Sequence, residues 1–237
     1  MTEAVNSQTS EADSRPPELD LADELLQRDM FCVHGISQDD LGINTLVHPS
    51  TPLEQRFEVA ITERPVLSST AHTRAAMTNH APLWSTVGVV ITGGNVQHAS
   101  PRDSGTVMQA DGTRRTPPQS TEEAQAVFDA IADQDRRFSD HPPHNEVVVR
   151  DPTIAGLFFK DTAGLLPSEI HPSGDFPPNT VPELVRVMSE RHGLPVFAVR
   201  HTGVYRVDAW DETGRYDFGQ TIKANPASLT RGLSHEE

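Results

Sequence analysis

The chain has 237 residues, enough for one large domain or two small ones, and its 34 acidic and 19 basic side chains give a formal net charge of -15. This charge argues against binding to nucleic acids or anionic membranes, since both need clustered lysine and arginine. Cys32 is the only cysteine, which excludes an intrachain disulfide and a thiolate metal cage. No secretory signal pattern is present, and no apolar run approaches the roughly 20 residues of a membrane-spanning helix. We therefore expect a monomer that is cytoplasmic, or that is secreted without a signal peptide.

Composition divides the chain into three parts. Residues 1–18 are polar and cannot bury enough apolar surface to offset the entropy of ordering, which predicts a disordered tail. Residues 211–237 are also mostly polar, and we expect a loose C-terminal tail there. The folded domain is predicted over 19–210.

The first part of this domain mixes short helices and strands. Leucines at helical spacing behind Asp20 predict a short helix. The next predicted elements are, in chain order, a strand over 30–36, a strand over 53–61 whose first four residues also suit a helical turn, a helix over 71–79, and a buried strand over 87–92 that Gly93-Gly94 ends.

The second part begins with residues 93–120, whose Pro, Gly, Asp and Ser content predicts a loop. Ser120 or Thr121 then caps the strongest helical pattern of the chain. The elements that follow are a helix over 121–135, strands over 146–149 and 154–159 joined at Asp151-Pro152, a Pro-rich loop over 161–179, a helix over 181–192 ended by Gly193, and a hairpin of 195–199 with 204–207. Helices and strands without regular alternation favour an α+β fold with a largely antiparallel sheet.

Glu146 is the residue whose type and place are least expected. It begins the apolar run Val147-Val148-Val149, and burying an ionised carboxylate is costly unless it is paired. A solvent-edge position on the strand is the commoner arrangement, whereas a position at the mouth of a cleft is the functional one. Glu146 is therefore the candidate catalytic residue.

Two further segments place polar side chains beside apolar runs. His34-Gly35 ends the first strand, where the glycine lets a ligand approach the backbone or simply forms a turn. Ser68-Ser69-Thr70 precedes a helical pattern, so these hydroxyls either cap the helix or orient a polar ligand.

Three short motifs follow one another along the chain: His34-Gly35-Ile36, Ser68-Ser69-Thr70 and His144-Asn145-Glu146. In this order they resemble the motifs of the ADP-ribosyltransferase superfamily. An early His-Gly is typical of the diphtheria-toxin-like branch. A Ser/Thr strand and a Glu before an apolar run are typical of bacterial toxin members of the Arg-Ser-Glu branch. The resemblance implies a split, mostly antiparallel sheet around an NAD cleft, flanked by helices, with His34, Ser69 and Glu146 facing that cleft.

The resemblance also implies an activity, which is transfer of ADP-ribose from NAD to a protein acceptor, or to water, with release of nicotinamide. Glu146 would stabilise the oxocarbenium-like transition state. His34 would bind the adenosine ribose and the backbone of Gly35 the nicotinamide amide. The remaining residues assigned to NAD binding are Ser68, Ser69, Thr70 and Asn145, of which Ser69 and Thr70 would brace Glu146 or the ribose.

The chain departs from the family at several positions. His144 stands where toxin members carry a Glu or Gln that helps to select the acceptor, so the acceptor residue stays open. Instead of the usual tyrosine, the aromatic residues available to stack on nicotinamide are Phe31, Phe57, Phe138 and Trp84. We expect the irregular segments 93–119 and 161–179 to recognise the acceptor, a host or competitor protein, and expect deletion of 107–117 to abolish its modification while sparing NAD hydrolysis.

The residues raise three other possible functions. Cys32 and His34 lie two residues apart on one strand, roughly 6–7 Å, too far for a thiol catalytic pair. A metal hydrolase would use His141, His144 and Glu146, with His72 and His80 as further ligands, although no His-Glu-x-x-His motif is present. A non-catalytic acidic binding or immunity protein is the third possibility, supported by the net charge.

Overall fold

The computed structural model describes residues 19–36, 51–63, 66–78, 85–102, 119–138, 143–163 and 177–231. The helices in these ranges are α1 (Leu21–Arg28), α2 (Leu53–Glu58, continued by a π-helical turn over Val59–Glu63), α3 (Arg74–Thr78), α4 (Thr121–Arg137), α5 (Glu183–His192) and α6 (Pro226–Arg231). The strands are β1 (Met30–Gly35), β2 (Leu67–Thr73), β3 (Val87–Ser100), β4 (Glu146–Lys160), β5 (Val196–Arg200), β6 (Gly203–Val207) and β7 (Ile222–Lys223). No helix of these segments is long and apolar enough to span a membrane.

The strands form one seven-stranded sheet in the order β2-β1-β3-β4-β5-β6-β7. All neighbouring pairs are antiparallel except β4 with β5, so the predicted α+β class with a largely antiparallel sheet is confirmed. An additional pairing of β2 with β4 joins β1, β2, β4 and β3 into a closed circuit. The first part of β4 therefore pairs with β2 and β3, whereas its last part pairs with β3 and β5.

Both long strands of this circuit bend at the same level. Gly93 pairs with Thr153 and Asn95 with Arg150, with register shifts between them. Gly94 has φ of 125°, and a Cβ there would lie 2.7 Å from Val149 Cγ1, so only glycine fits. Asp151, on the opposite strand, has φ of 50°, which turns β4 before Pro152. The chain therefore bends within continuous strands, and the predicted strand end at Gly93-Gly94 and break at Asp151-Pro152 are wrong.

Local signals define several helix ends as predicted. Asp20 accepts a hydrogen bond from the Ala22 N–H at the start of α1. Ser120 and Glu123 form a reciprocal capping box at the start of α4. Gly193 ends α5 in the left-handed conformation, with φ of 65°.

The strand predicted over 53–61 is wrong, because these residues form α2 and its π-helical continuation. Phe57 and Ile61 lie four residues apart and both are buried, which satisfies the helical period as well as the two-residue period of a strand. The helix predicted from residue 71 begins only at Arg74, because Ala71 and Thr73 still pair with β1.

The C-terminal segment is also more ordered than its composition indicates. Tyr216 is buried and donates its hydroxyl proton to Asp161, and β7 pairs with β6. Burial and the carboxylate of Asp161 raise the pKa of the Tyr216 hydroxyl. Residues 211–231 therefore belong to the fold rather than to a loose tail, while 1–18 and 232–237 lie outside the described residues.

Two apolar clusters lie on the two faces of the sheet. The larger one includes Cys32, Val147 and Val149, and Phe128 of α4 packs into it. The smaller one includes Val33 and Phe158. Successive residues of a strand point to opposite faces, so this division shows which polar side chains share a surface.

Candidate functional site

The first residues of β4 form the middle of a three-stranded patch. On one side, Ser69 pairs with Val147 and Ser68 with Val148; on the other, Ser100 pairs with Glu146, Ala99 with Val147 and His98 with Val148. Val147 faces the larger apolar cluster. Strand alternation therefore puts a polar set on the opposite face, consisting of Ser68, Thr70, His98, Ser100 and Glu146.

Glu146 contacts β2 through a side chain. The Ser68 hydroxyl donates to Glu146 Oε1 at 2.9 Å, a diagonal contact because Ser68 is opposite Val148. Glu146 is only 3% exposed, and a carboxylate buried to this degree needs such donors. The structure thus places the carboxylate at a fixed position on a strand.

The His34 ring binds the backbone of the same serine, Ser68. The β1–β2 register ends with Val33 opposite Thr70, and beyond it the His34 ring spans to β2, where Nδ1 donates to the Ser68 carbonyl at 2.7 Å. A carbonyl only accepts hydrogen bonds, so Nδ1 carries the proton. His34, Ser68 and Glu146, from three distant parts of the sequence, are thereby joined. The pairing of His34 with Val89 and its alternation with Val33 put the ring on the face of the larger apolar cluster, so the expectation that His34 and Glu146 face the same cleft is wrong.

Ser69 lies on the other face of β2. It is buried and opposite Val147, on the face of the sheet that carries Cys32. The expectation that Ser69 shares a surface with Glu146 is therefore wrong, because the two-residue period of a strand assigns that position to Ser68. Thr70, two residues from Ser68, lies on the face of Glu146 and is half-buried.

Asn145 has a role other than the one predicted. Its Oδ1 accepts from the Ala71 N–H at 2.9 Å and its Nδ2 donates to the Ala71 carbonyl at 2.8 Å. The side chain is buried and both ends of its amide are committed to β2. Asn145 therefore fixes the backbone next to Glu146 and is not placed to bind a cofactor.

Packing accounts for the glycine that follows His34. A Cβ on Gly35 would lie 2.6 Å from the Cβ of Ser85, which is too close for any other residue. Ser85 in turn donates to the Ile36 carbonyl at 2.7 Å. The glycine is thus required where β1 passes Ser85, with or without a ligand at its backbone.

The aromatic residues considered for stacking differ in their availability. Phe31 and Phe57 are buried in the two apolar clusters and have no surface to offer. Phe138, just after α4, is 54% exposed. Trp84 lies outside the described residues.

The sequence pattern does not indicate His98 and Ser100 as site residues. Both are half-buried on the face of Glu146, in the segment predicted as a loop. A bulge between Val96 and His98 interrupts the alternation of the strand. The buried residues Val96 and Ala99 are therefore three positions apart, and the two-residue period of a strand is not visible in the sequence. The apolar side chains of Val96 and Ala99 were the only indication in the sequence that this segment is a buried strand and not a loop.

The ligands considered for a metal site do not converge in the described segments. His72 is buried and paired with Asp135 of α4, with 3.2 Å between His72 Nδ1 and Asp135 Oδ1. His80 and His141 lie outside the described residues. Among the residues that are described, no group of three or more His, Cys, Asp or Glu could hold a metal ion.

Cys32 is a core residue. Burial raises the pKa of its thiol to about 12, and the neighbouring Ser69 hydroxyl opposes that rise by a smaller amount. The thiolate, which is the nucleophilic form, is therefore strongly disfavoured at neutral pH.

Comparisons of this chain with protein-family models, with curated protein sequences and with solved structures find no match.

Proposed function

We propose that this protein is an NAD-dependent transferase that moves ADP-ribose to an acceptor and releases nicotinamide. The observation that carries the proposal is the contact between Ser68 and Glu146, with His34 bonded to the backbone of the same serine. These residues come from the three motifs on which the resemblance to ADP-ribosyltransferases rests.

The chemistry asks for a fixed negative charge. When the bond between nicotinamide and the ribose C1′ breaks, its electron pair leaves with the nicotinamide and positive charge develops on the ribose. A preorganised carboxylate stabilises that charge. The position of Glu146 on a strand, held by Ser68 and by the neighbouring amide of Asn145, suits this task.

The arrangement of the sheet supports the same proposal. The resemblance implies a sheet that splits around NAD, and here the two ends of β4 pair with different strands, β2 at its start and β5 at its end. His34 spans β1 and β2 at the point where their register ends. A dinucleotide that passes around this end of the sheet would contact Glu146 and Ser68 on one face and His34 on the other.

The test is NAD turnover by the full chain, followed as nicotinamide release by chromatography. Glu146→Gln keeps the shape and removes the charge, so we expect turnover to fall by about 10²- to 10³-fold with NAD affinity little changed. Glu183→Gln, the same change on the exposed start of α5, is the matched control and should retain full turnover. A wild-type protein without NAD cleavage would instead favour the acidic binding protein.

A further inference from the structure

We propose that His98 is the general base that takes the proton of the acceptor, and that the acceptor is accordingly a hydroxyl group, of water or of a hydroxyl-bearing side chain. This inference rests on the proposed function and names the substrate class that the site would take.

The position of His98 mirrors that of Ser68. Both residues are opposite Val148, on the two sides of β4, and both lie on the face of Glu146. Ser68 already reaches Glu146 across the diagonal. Diagonal neighbours in a sheet are about 7–8 Å apart at Cα, and the imidazole is longer than the serine side chain. His98 can therefore reach a group bound beside Glu146 from the opposite side.

The two sides of Glu146 differ in what they offer. The β2 side carries Ser68, whose carbonyl binds the His34 ring from the other face of the sheet, and both residues are assigned to NAD. The β3 side carries His98 and Ser100, both half-buried, and continues to the exposed Arg102. With the dinucleotide on the β2 side, the acceptor would approach over β3, where His98 is the one imidazole among the described residues of that strand.

The reaction balances with His98 in this role. The C1′–N bond breaks and its electron pair leaves with neutral nicotinamide, while an oxygen lone pair of the acceptor forms the new O–C1′ bond. The hydroxyl proton becomes acidic as that bond forms and passes to the imidazole nitrogen. An imidazole suits this transfer because its protonation changes near neutral pH. An arginine acceptor enters as a cation with a pKa above about 12, which an imidazole does not deprotonate.

Other titratable groups of this part of the sheet have to be distinguished from His98 in any pH profile. Those described around this end of the sheet are Glu146 on β4, His34 on β1 and His144 before β4. His144 is the variant site that distinguishes a neighbouring imidazole from His98, and His201, in the exposed turn between β5 and β6, is the distant control.

The experiment measures kcat from about pH 5 to 9 with methanol as the hydroxyl probe and agmatine as the guanidinium probe, and detects products by mass spectrometry. We expect transfer to methanol and water but not to agmatine, with kcat falling as the solution becomes acidic. His98→Gln should lower kcat by about 100-fold, remove the acidic fall and leave the KM for NAD within about twofold. His144→Gln and His201→Gln should keep the acidic fall, and added imidazole should restore part of the rate of His98→Ala.

The outcomes separate the two proposals. If wild type cleaves NAD and Glu146→Gln does not, but His98→Gln keeps the wild-type rate and pH profile, the role of His98 is wrong and the proposed function stands. Preferred transfer to agmatine would also overturn the role of His98. If the folded wild type releases no nicotinamide, both proposals fail. Circular dichroism of both His98 variants shows whether a loss of rate comes from unfolding. In the folded His98→Ala protein, recovery of rate with added imidazole supports His98 as the base, and the absence of recovery contradicts it.

Discussion

Gln119 pairs its side-chain amide with both backbone groups of Ala99, accepting from the N–H at 2.9 Å and donating to the carbonyl at 2.8 Å. Asn145 does the same with Ala71 on the other side of the patch. Each amide takes the place of a neighbouring strand where the backbone pairing ends. The two clamps hold β3 and β2, the strands on either side of Glu146.

Removing these clamps should destabilise the protein to different degrees. Asn145 is 1% exposed, so Asn145→Ala leaves two buried backbone groups unpaired and should lower the free energy of unfolding by about 2–4 kcal/mol. Gln119 is half-buried, and water can replace part of its bonding, so Gln119→Ala should cost less. Urea unfolding measures both. Equal losses of unfolding free energy in the two variants would show that burial of the amide does not determine how much each one stabilises the fold.

Adjacent serines provide a matched pair for the site. Ser68→Ala removes a hydrogen bond to a carboxylate, worth about 1.5–3 kcal/mol, so NAD turnover should fall by roughly 10- to 100-fold. Ser69→Ala removes a hydroxyl from the other face and should change turnover little. Steady-state kinetics of the two folded variants gives the comparison. A larger effect from Ser69 than from Ser68 would contradict the assignment of faces.

His34 is expected to act in binding. His34→Ala should weaken NAD affinity by about 1–3 kcal/mol, because it leaves a ligand group without its partner. Isothermal titration calorimetry measures the change, with the exposed His201→Ala as control. Unchanged affinity in a folded His34→Ala protein would show that His34 does not bind NAD and that its role is structural, through the bond to the Ser68 carbonyl.

Alkaline pH should destabilise the fold through Cys32. Its pKa is raised from 9.0 to about 12, so the folded state holds the thiol proton more tightly than the unfolded state. The resulting stabilisation is complete below about pH 9 and is lost as the pH rises towards about 12, by up to about 1.4 kcal/mol per pH unit. Tyr216, whose pKa is raised from 10.0, adds to this loss above about pH 10.

Comparison of wild type with Cys32→Ala isolates the thiol. Between about pH 8 and 10.5, the free energy of unfolding in urea should fall by about 2 kcal/mol more in wild type than in the variant. Equal falls in the two proteins would mean that the Cys32 thiol does not carry this pH dependence.

The C-terminal segment should contribute measurably to stability. Tyr216→Phe keeps the buried ring and removes the hydroxyl that donates to Asp161, which should lower the free energy of unfolding by about 1–3 kcal/mol. Arg200 lies 3.5 Å from the same carboxylate and 3.9 Å above the Phe218 ring, so this residue offsets part of the loss. Denaturation of the variant at neutral pH checks the value, and wild-type stability would indicate that Asp161 finds another donor.

The sequence by itself determined the features that depend on neighbouring residues. The caps at Asp20 and Ser120, the helix end at Gly193 and the hairpin of β5 and β6 follow from local hydrogen bonding and backbone preference. The apolar runs also predicted β1 and the buried part of β4. The α+β class followed from the order of these elements.

Only the tertiary structure decided what depends on strand pairing. Partners distant in the chain determine three features of the fold. These are the helix at 53–61, the continuation of β3 past Gly94 and the choice of the serine that faces Glu146. A shift of one residue exchanges the two faces of a strand, so a run such as Ser68-Ser69-Thr70 does not reveal its register without β4. For the same reason only the pairing of β3 with β4, with its bulge between Val96 and His98, places His98 on the face of Glu146.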